Sequence, residues 1–357
     1  MRLPVENFDQ RITNLPASLW QTIARIDEVK GQWSSNAGLS EQVLSRLKRS
    51  VLVTSTGAST RIEGARLSDE EVERLMRGLS NRKLADRDAQ EVRGYLETLQ
   101  LVFDSWQDMP LTENTIKQLH GRLLRFTAKD ERHRGAYKTL DNRVQLTSPA
   151  GETVGIVDTA PPYLTPKLTS ELVTWTSETL AQGTQHPLLV IGNFVVEFLK
   201  IHPFLDGNGR LSRILTNLLM LRAGYRYVPF VSHERIIEAS KADYYVALRR
   251  SQTTFGTERE TIRPWLSYFL DKLLVQAEQA AALVSNEAIE RLLSPQQLLV
   301  WQHLDTVPEA APGQIAEATG VPRPTVAQAL DKLLQLGAVE RLGLGRSTRY
   351  RKPRQGR

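Results

Sequence analysis

The sequence predicts a mainly α-helical protein with one β-hairpin in its middle and a small mixed module at its C-terminal end. Three observations carry this reading. Apolar residues recur at three- and four-residue spacings along most of the chain. Around residues 138–157 that period gives way to alternation across a turn. Past residue 290, three short helical patterns lead into two short segments rich in arginine. A chain of 357 residues with 41% hydrophobic and 24% charged side chains is ordinary globular protein, which excludes a disordered or fibrous chain and predicts roughly two or three domains.

The first helical patterns cover residues 19–29, 40–53, 68–79 and 86–103. Ser68, followed by Asp69, Glu70 and Glu71, reads as an N-cap with acids in the first turn. Another helix covers residues 112–126. Between Lys138 and Val157, Val144, Leu146, Val154 and Ile156 alternate with polar neighbours around the turn formers Ser148-Pro149-Ala150-Gly151, which predicts a β-hairpin. Pro161, Pro162 and Pro166 break the chain before helices at 166–180 and 187–200. The second is apolar on nearly every side, so it is expected at the centre of the core. Further helices follow to about residue 221, at 240–250 and at about 263–282, and residues 285–294 read as a linker.

The net charge of +6 is unevenly spread. Residues 321–357 carry nine basic side chains against Asp331 and Glu340, a net +7, which leaves residues 1–320 at −1. An acidic partner is therefore expected at the C-terminal end. The chain has no cysteine, which excludes disulfides, thiolate nucleophiles and Cys-ligated metals and suits a cytoplasmic location. The opening MRLPVENFDQ lacks the apolar centre of a signal peptide. The longest apolar stretch, residues 188–199, is interrupted by Gly192, Asn193 and Glu197 and falls short of the ~18 residues a membrane helix needs, so no membrane partner is expected.

The most informative segment joins two apolar helices: His202-Pro203-Phe204-Leu205-Asp206-Gly207-Asn208-Gly209-Arg210, then Leu211-Ser212-Arg213. Gly207 and Gly209 let successive N–H groups turn toward one point at a helix N-terminus, which makes an anion site suited to phosphate. Arg210 and Arg213, three apart, are expected near one another, where both guanidiniums could reach phosphoryl oxygens. Asp206 offers a hard oxygen for Mg²⁺, and His202 can take a proton near neutral pH. Piece by piece each feature also suits a structural histidine or a simple turn. Jointly, eight positions at about one in twenty each recur by chance with a frequency on the order of 10⁻⁸ in a chain this long.

At these residues the sequence resembles the Fic family, whose signature His-x-Phe-x-(Asp/Glu)-Gly-Asn-Gly-Arg-x-x-Arg it matches completely. The resemblance implies a helical Fic fold with a β-hairpin flap and transfer of AMP from Mg-ATP to a hydroxyl of a target protein. Carried over, His202 is the base and Asp206 holds Mg²⁺. Gly207, Asn208, Gly209 and the helix start at Arg210, Leu211 and Ser212 cradle the phosphates, Arg210 and Arg213 clamp them, and Phe204 is a packing anchor. The hairpin resembles the flap that docks the target by strand pairing, with Ile156, Val157, Asp158 and Thr159 lying over the nucleotide. Tyr244, Tyr245 and Gln252 resemble adenine-side contacts, although two tyrosines on a helix also suit core packing. A homodimer remains open.

Ser59-Thr60-Arg61-Ile62-Glu63-Gly64 reads by itself as a helix end closed by Gly64 with a solvated glutamate. It also resembles the Fic inhibitory motif (Ser/Thr)-x-x-x-Glu-(Gly/Asn), which implies that Glu63, with Ser59, occupies Arg213 and turns the α-phosphate of ATP away from attack. In some relatives the same Glu positions water to remove AMP. At the other end, helices at 298–304, 313–319 and 324–336, a strand at 338–342 and another at 347–351 resemble a winged helix-turn-helix. There Arg323, Thr325, Gln328 and Lys332 on the recognition helix and Arg346, Arg349 and Arg351 on the wing face DNA or another partner. The expected organisation is an N-terminal helical region at 1–105 with its motif at 59–64, a Fic domain at 106–285 and a winged helix at 290–357. An auto-inhibited adenylyltransferase leads. A DNA-binding regulator with the Fic core as nucleotide sensor, or an enzyme moving another phosphate-containing group, are the alternatives.

Overall fold

Helical periodicity translates into fifteen helices among the described residues of the computed structural model, which are 4–35, 39–78, 87–147, 153–343 and 348–353. Residues 1–281 form one compact unit and 282–357 another. In chain order the first unit contains α1 (Pro4–Arg11), α2 (Ala17–Ser35), α3 (Glu41–Ile62), α4 (Asp69–Met76), α5 (Arg87–Ser105) and α6 (Glu113–Leu123). The hairpin of β1 (Arg143–Thr147) and β2 (Thr153–Asp158) comes next. It is followed by α7 (Thr165–Gln182), α8 (Pro187–Ile201), α9 (Asn208–Arg222), α10 (His233–Glu238), α11 (Lys241–Gln252) and most of α12 (Arg263–Leu292).

α8 starts because His186 caps it, with Nδ1 accepting from Leu188 N, and because Pro187 fits the first helical turn. Leu188, Leu189, Val190, Ile191, Phe194, Val196 and Phe198 are completely buried, each worth about 1.5–3 kcal/mol relative to exposure, so α8 is the core helix the sequence expects. It packs against α7, α9 and α11, while α9 also meets α3, α5 and α6. These contacts fix both ends of the loop between α8 and α9.

Three helices outrun their expected ends by six residues or more, α2 among them, which continues past Val29 to Ser35. α3 continues past Val53 to Ile62 and buries Ser55, Thr56, Ser59 and Thr60. Polar side chains break the apolar period, yet all of these but Thr56 have hydrogen-bond partners here. Thr60 Oγ1 donates to Thr56 O at 2.8 Å, and the Ser55 hydroxyl meets that of Ser232 at 2.8 Å. α12 runs through the stretch read as a linker, because residues 282–292 contain strong helix formers and no Gly or Pro before Ser294-Pro295. The hairpin pairs antiparallel from Arg143↔Asp158 to Thr147↔Thr153, with an irregularity between Leu146 and Thr147. Its expected turn at 148–151 lies outside the described residues.

The second unit contains α13 (Pro295–Thr306), α14 (Pro312–Thr319), α15 (Arg323–Gln335) and the strands β3 (Glu340–Leu342) and β4 (Arg349–Arg351), around Trp301, Ile315, Val326, Leu330, Leu333 and Tyr350. Ala310 bridges to Tyr350 and completes a winged-helix arrangement. The +7 tail does not fold alone. It shares this unit with residues 282–320, which sum to −4, so the unit carries +3. Arg349 pairs with Glu309 at 3.4 Å, Arg351 with Glu340 at 2.9 Å and Lys352 with Asp305 at 2.6 Å, so these cations are partly neutralised within the unit. Arg323 and Gln328 are exposed on α15 and Thr325 and Lys332 half-buried, while Arg346 lies outside the described residues. Among the described residues no helix is long and apolar enough to cross a membrane.

Candidate active site

A cavity of about 210 Å³ opens where the α8–α9 loop meets α3 and α11, lined by Glu63, His202, Asp206, Gly207, Asn208, Gly209, Arg210, Tyr244, Tyr245 and Gln252, with Arg143 and Leu248 among the rest. His202 closes α8 in a left-handed conformation with φ 52°, unusual for a residue other than glycine. Its Nδ1 lies 3.3 Å from Leu199 O. A carbonyl only accepts, so Nδ1 carries the hydrogen and Nε2 keeps its lone pair. Burial lowers the pKa to about 4, the Leu199 carbonyl pulls the other way, and the Lys138 charge adds to the lowering. The imidazole is therefore neutral at pH 7, in the state a base requires.

The loop after His202 is held from within and from behind. Phe204, fully buried, stacks on His120 with ring centroids 3.8 Å apart, which is the anchoring role expected for it. His120 Nδ1 accepts from Gly135 N at 2.9 Å, so its Nε2 bears the hydrogen and donates to Asp206 O at 3.0 Å. Asn208 exchanges bonds with Phe204, its Oδ1 accepting from Phe204 N at 3.0 Å and its Nδ2 donating to Phe204 O at 2.7 Å. Its side chain thereby braces the loop, and its backbone N–H stands ahead of the first helical bond of the next helix. Gly207, at φ 79°, turns the chain into α9, whose first helical bond is Leu211 N to Gly207 O. The amides of Asn208, Gly209 and Arg210 precede that bond and give the cavity a helix N-terminus.

Arg210 and Arg213 do not converge as their spacing suggests. Arg210 approaches Glu91 Oε2 at 2.9 Å and Asp206 Oδ1 at 3.1 Å, whereas Arg213 turns toward α3. Its Nε donates to Ser59 Oγ at 2.8 Å and its Nη2 to Ser59 O at 3.0 Å and to Glu63 Oε1 at 2.7 Å. The helix ends here as expected, with Glu63 as its C-cap residue just before Gly64, but the glutamate is ion-paired and not simply solvated. Burial works against the charge of Arg213, but the Glu63 carboxylate, with Tyr244 and Tyr95 adding to it, holds the guanidinium above its ordinary value. Asp206 is also engaged, accepting from Gly207 N at 2.6 Å, from Arg210 and, at 3.3 Å, from Arg87. Burial works against its charge, but Arg210, the Gly207 amide and Arg87 together hold its pKa below the usual value.

Of the other expected contacts, Tyr244 and Gln252 are also held by core neighbours. They line the cavity while Tyr244 packs edge-on against Trp265 and Gln252 donates to Val196 O at 3.0 Å. Tyr245 lines the cavity too. Leu211 and Ser212 are buried within α9, the Ser212 hydroxyl bonding Gly209 O at 2.8 Å. Ile156 and Val157 pair with Gln145 and Val144 in the hairpin, Asp158 is exposed and Thr159 sits at the hairpin's root. Sequence reasoning missed Glu91, Arg87, His120 and Lys138. They lie far from the loop in the chain, and no local spacing marks them.

A buried helix, a left-handed histidine and a glycine loop opening a second buried helix define an anion-site geometry within a helical fold. Residues 110–220 match the Fic/DOC family, and residues 297–353 match the C-terminal domain of DIP2311-like transcriptional regulators. The chain thus carries a Fic domain over residues 110–220 and a regulator-type domain over residues 297–353. It is 34% identical over 89 residues to the protein adenylyltransferase Fic of Drosophila erecta, a stretch covering 25% of this chain and 16% of that one. It is 35% identical over 79 residues to a probable protein adenylyltransferase of Aquifex aeolicus, covering 22% and 24%. The match thus spans about a sixth to a quarter of these relatives. In fold the chain resembles a Fic family protein from Desulfovibrio desulfuricans, with a TM-score of 0.62 at 24% identity over 97% of this chain and 99% of that one. It also resembles a point variant of a C. elegans Fic-1 fragment, with a TM-score of 0.62 at 19% identity over 76% and 74%.

Proposed function

We propose that the protein transfers AMP from Mg-ATP to a Ser, Thr or Tyr hydroxyl of a target protein, and of itself, and that Glu63 restrains the reaction. The observation that carries this reading is the 2.7 Å bond between Glu63 Oε1 and Arg213 Nη2 at the edge of the cavity lined by His202 and the start of α9. The donor set suits phosphates, since Arg213 Nη1 and Arg210 Nε are buried cationic donors without a hydrogen-bond partner. Tyr244, Tyr245 and Leu248 offer a wall for the base. Among the described residues no three His, Asp or Glu side chains cluster around a cation position, so Asp206 would be the carboxylate that holds Mg²⁺, with phosphate oxygens supplying other ligands. When bound, the ion offsets phosphate charge.

The target hydroxyl loses its proton to His202 Nε2 as its oxygen bonds the α-phosphorus, and the bond to the β-phosphate oxygen breaks to release pyrophosphate. The α9 amides and Arg210 stabilise the phosphate charge. With Glu63 in place, the γ-phosphate meets a carboxylate in place of a free guanidinium, and the α-phosphate is held out of line. The target would add a strand to the hairpin. With α-labelled ATP, Glu63→Gly is expected to raise labelling and His202→Ala to abolish it. Unchanged labelling in both overturns the reading. Release of AMP from a pre-labelled product would assign the reverse reaction, and label from a different nucleotide another transferred group.

A second reading rests on the match of residues 297–353 to a transcriptional-regulator domain. The exposed Arg323 and Gln328 on α15 would meet DNA, with the Fic core as nucleotide sensor. Salt-dependent retention on DNA that is lost on deleting residues 282–357 supports it, and retention unaffected by that deletion dismisses it.

A further inference from the structure

Between α6 and β1 lies a buried ammonium that the reaction above does not use. Lys138 is 3% exposed, and its Nζ donates to Asn142 Oδ1 at 2.8 Å, to Thr159 Oγ1 at 2.9 Å and to Ile201 O at 3.0 Å. Three donors meet three neutral oxygens, so the hydrogen bonds are complete while no carboxylate among these partners takes up the charge. Burying a cation this way is costly. Burial lowers its pKa to about 8, with the exposed Asp141 opposing, so the amine is still mostly charged at pH 7.

The three acceptors come from three places. Asn142 immediately precedes β1, Thr159 immediately follows β2, and Ile201 is the last residue of α8, directly before His202. Neighbouring bonds tie the same pieces together. Lys138 N donates to Pro203 O at 2.9 Å, Asn142 Nδ2 to Phe204 O at 2.8 Å, and the Thr159 hydroxyl to Asn142 O at 2.8 Å. On the outer side Lys200 Nζ donates to Asp158 O at 2.9 Å. Both roots of the hairpin and the carbonyls at 201, 203 and 204 are thus gathered around one amine. They bracket His202, whose left-handed backbone persists only while its surroundings enforce it.

We propose that Lys138 is a positioning residue that locks the two roots of the hairpin to the backbone of His202, so that a strand laid on the hairpin arrives in a fixed relation to the imidazole. The inference rests on the transfer reading of the His202 loop. Lys138→Met, made in the full chain with Glu63→Gly, is expected to lower kcat for target labelling at least tenfold. The KM for ATP should stay within twofold, because the α9 amides and Tyr245 are untouched. Thr159→Val, which removes one acceptor and one donor without emptying the site, should show a smaller loss of kcat with the same unchanged KM. In both variants amide hydrogen exchange should accelerate across residues 139–160 while α8 and α9 keep their protection. Parental kcat in both variants, a fall in kcat matched by a rise in the KM for ATP, or protection lost throughout the unit overturns the proposal. If His202→Ala labels as strongly as its parent, the transfer reading has failed. The clamp then stands on acceleration confined to residues 139–160 and falls if exchange there is unchanged.

Discussion

Replacing Glu63 by glycine frees Arg213, and the environment of the pair sets the size of the effect. The Arg213 side chain is 3% exposed and that of Glu63 31%. A hydrogen bond between charged groups contributes about 1.5–3 kcal/mol, and partial exposure of the carboxylate places this one near the lower end. About 1.5–2 kcal/mol corresponds to a roughly 10- to 30-fold gain in productive ATP engagement, and labelling with α-labelled ATP should rise by a similar factor. The same substitution leaves the guanidinium with only the Ser59 hydroxyl and carbonyl as partners. Without nucleotide, the variant should therefore melt several degrees lower, at about 2–4 °C per kcal/mol for a unit of this size. Mg-ATP, by giving Arg213 a new anion, should raise the variant's Tm more than the parent's. Glu63→Gln, which keeps an acceptor but loses the charge, should fall between the two. If Glu63→Gly neither labels faster nor gains a larger ATP-induced shift, the pair does not compete with nucleotide and the restraint is wrong.

Other consequences are equally open to measurement. Burial lowers the pKa values of His202 and His233 from 6.5 to about 4, so their contribution to stability is intact above pH 6.5 and lost as the pH falls toward 4. Each should cost roughly 2 kcal/mol by pH 5, and a urea midpoint unchanged between pH 7 and pH 5 would contradict this. A Cβ added at Gly94 would fall on the Leu123 carbonyl oxygen, a backbone atom that cannot swing aside. The helix-propensity gain of about 1 kcal/mol should be outweighed by an overpacking cost of about 1–3 kcal/mol or more, making Gly94→Ala less stable in chemical denaturation. Because Asp206 would be the carboxylate that holds Mg²⁺, Asp206→Asn should raise the Mg²⁺ concentration for half-maximal labelling at least tenfold. An unchanged requirement would assign the ion elsewhere.

Much of the fold was legible because its helices announce themselves locally. α8 is apolar all round, α4 carries a capping box at Ser68 and Glu71, and α15 opens with Arg323-Pro324. Two of the misread segments follow one rule. α3 buries hydroxyls that meet partners on its own backbone, as Thr60 does, or on distant elements, as Ser55 and Ser59 do, and α12 continues through polar residues that are good helix formers, so polarity does not mark an ending. The winged helix was visible in its pattern of short elements, but the charge count was not. The excess seen in residues 321–357 is shared with acidic residues upstream once the module closes.

The sequence by itself determined the α8–α9 loop, because there the chemistry comes from contiguous backbone and from side chains a few positions apart. His202, Gly207, Asn208 and Gly209 needed only the local geometry of a helix end, a turn and a helix start. Tertiary structure alone decided what the charged groups do. It sent Arg210 to Glu91 and Arg213 to Ser59 and Glu63, paired Asp206 with Arg87, and gathered Asn142, Thr159 and Ile201 around Lys138. The reason is physical. Periodicity and propensity act over a few residues, whereas the partner of a buried charge is whichever group packing brings within about 3 Å, often from far along the chain.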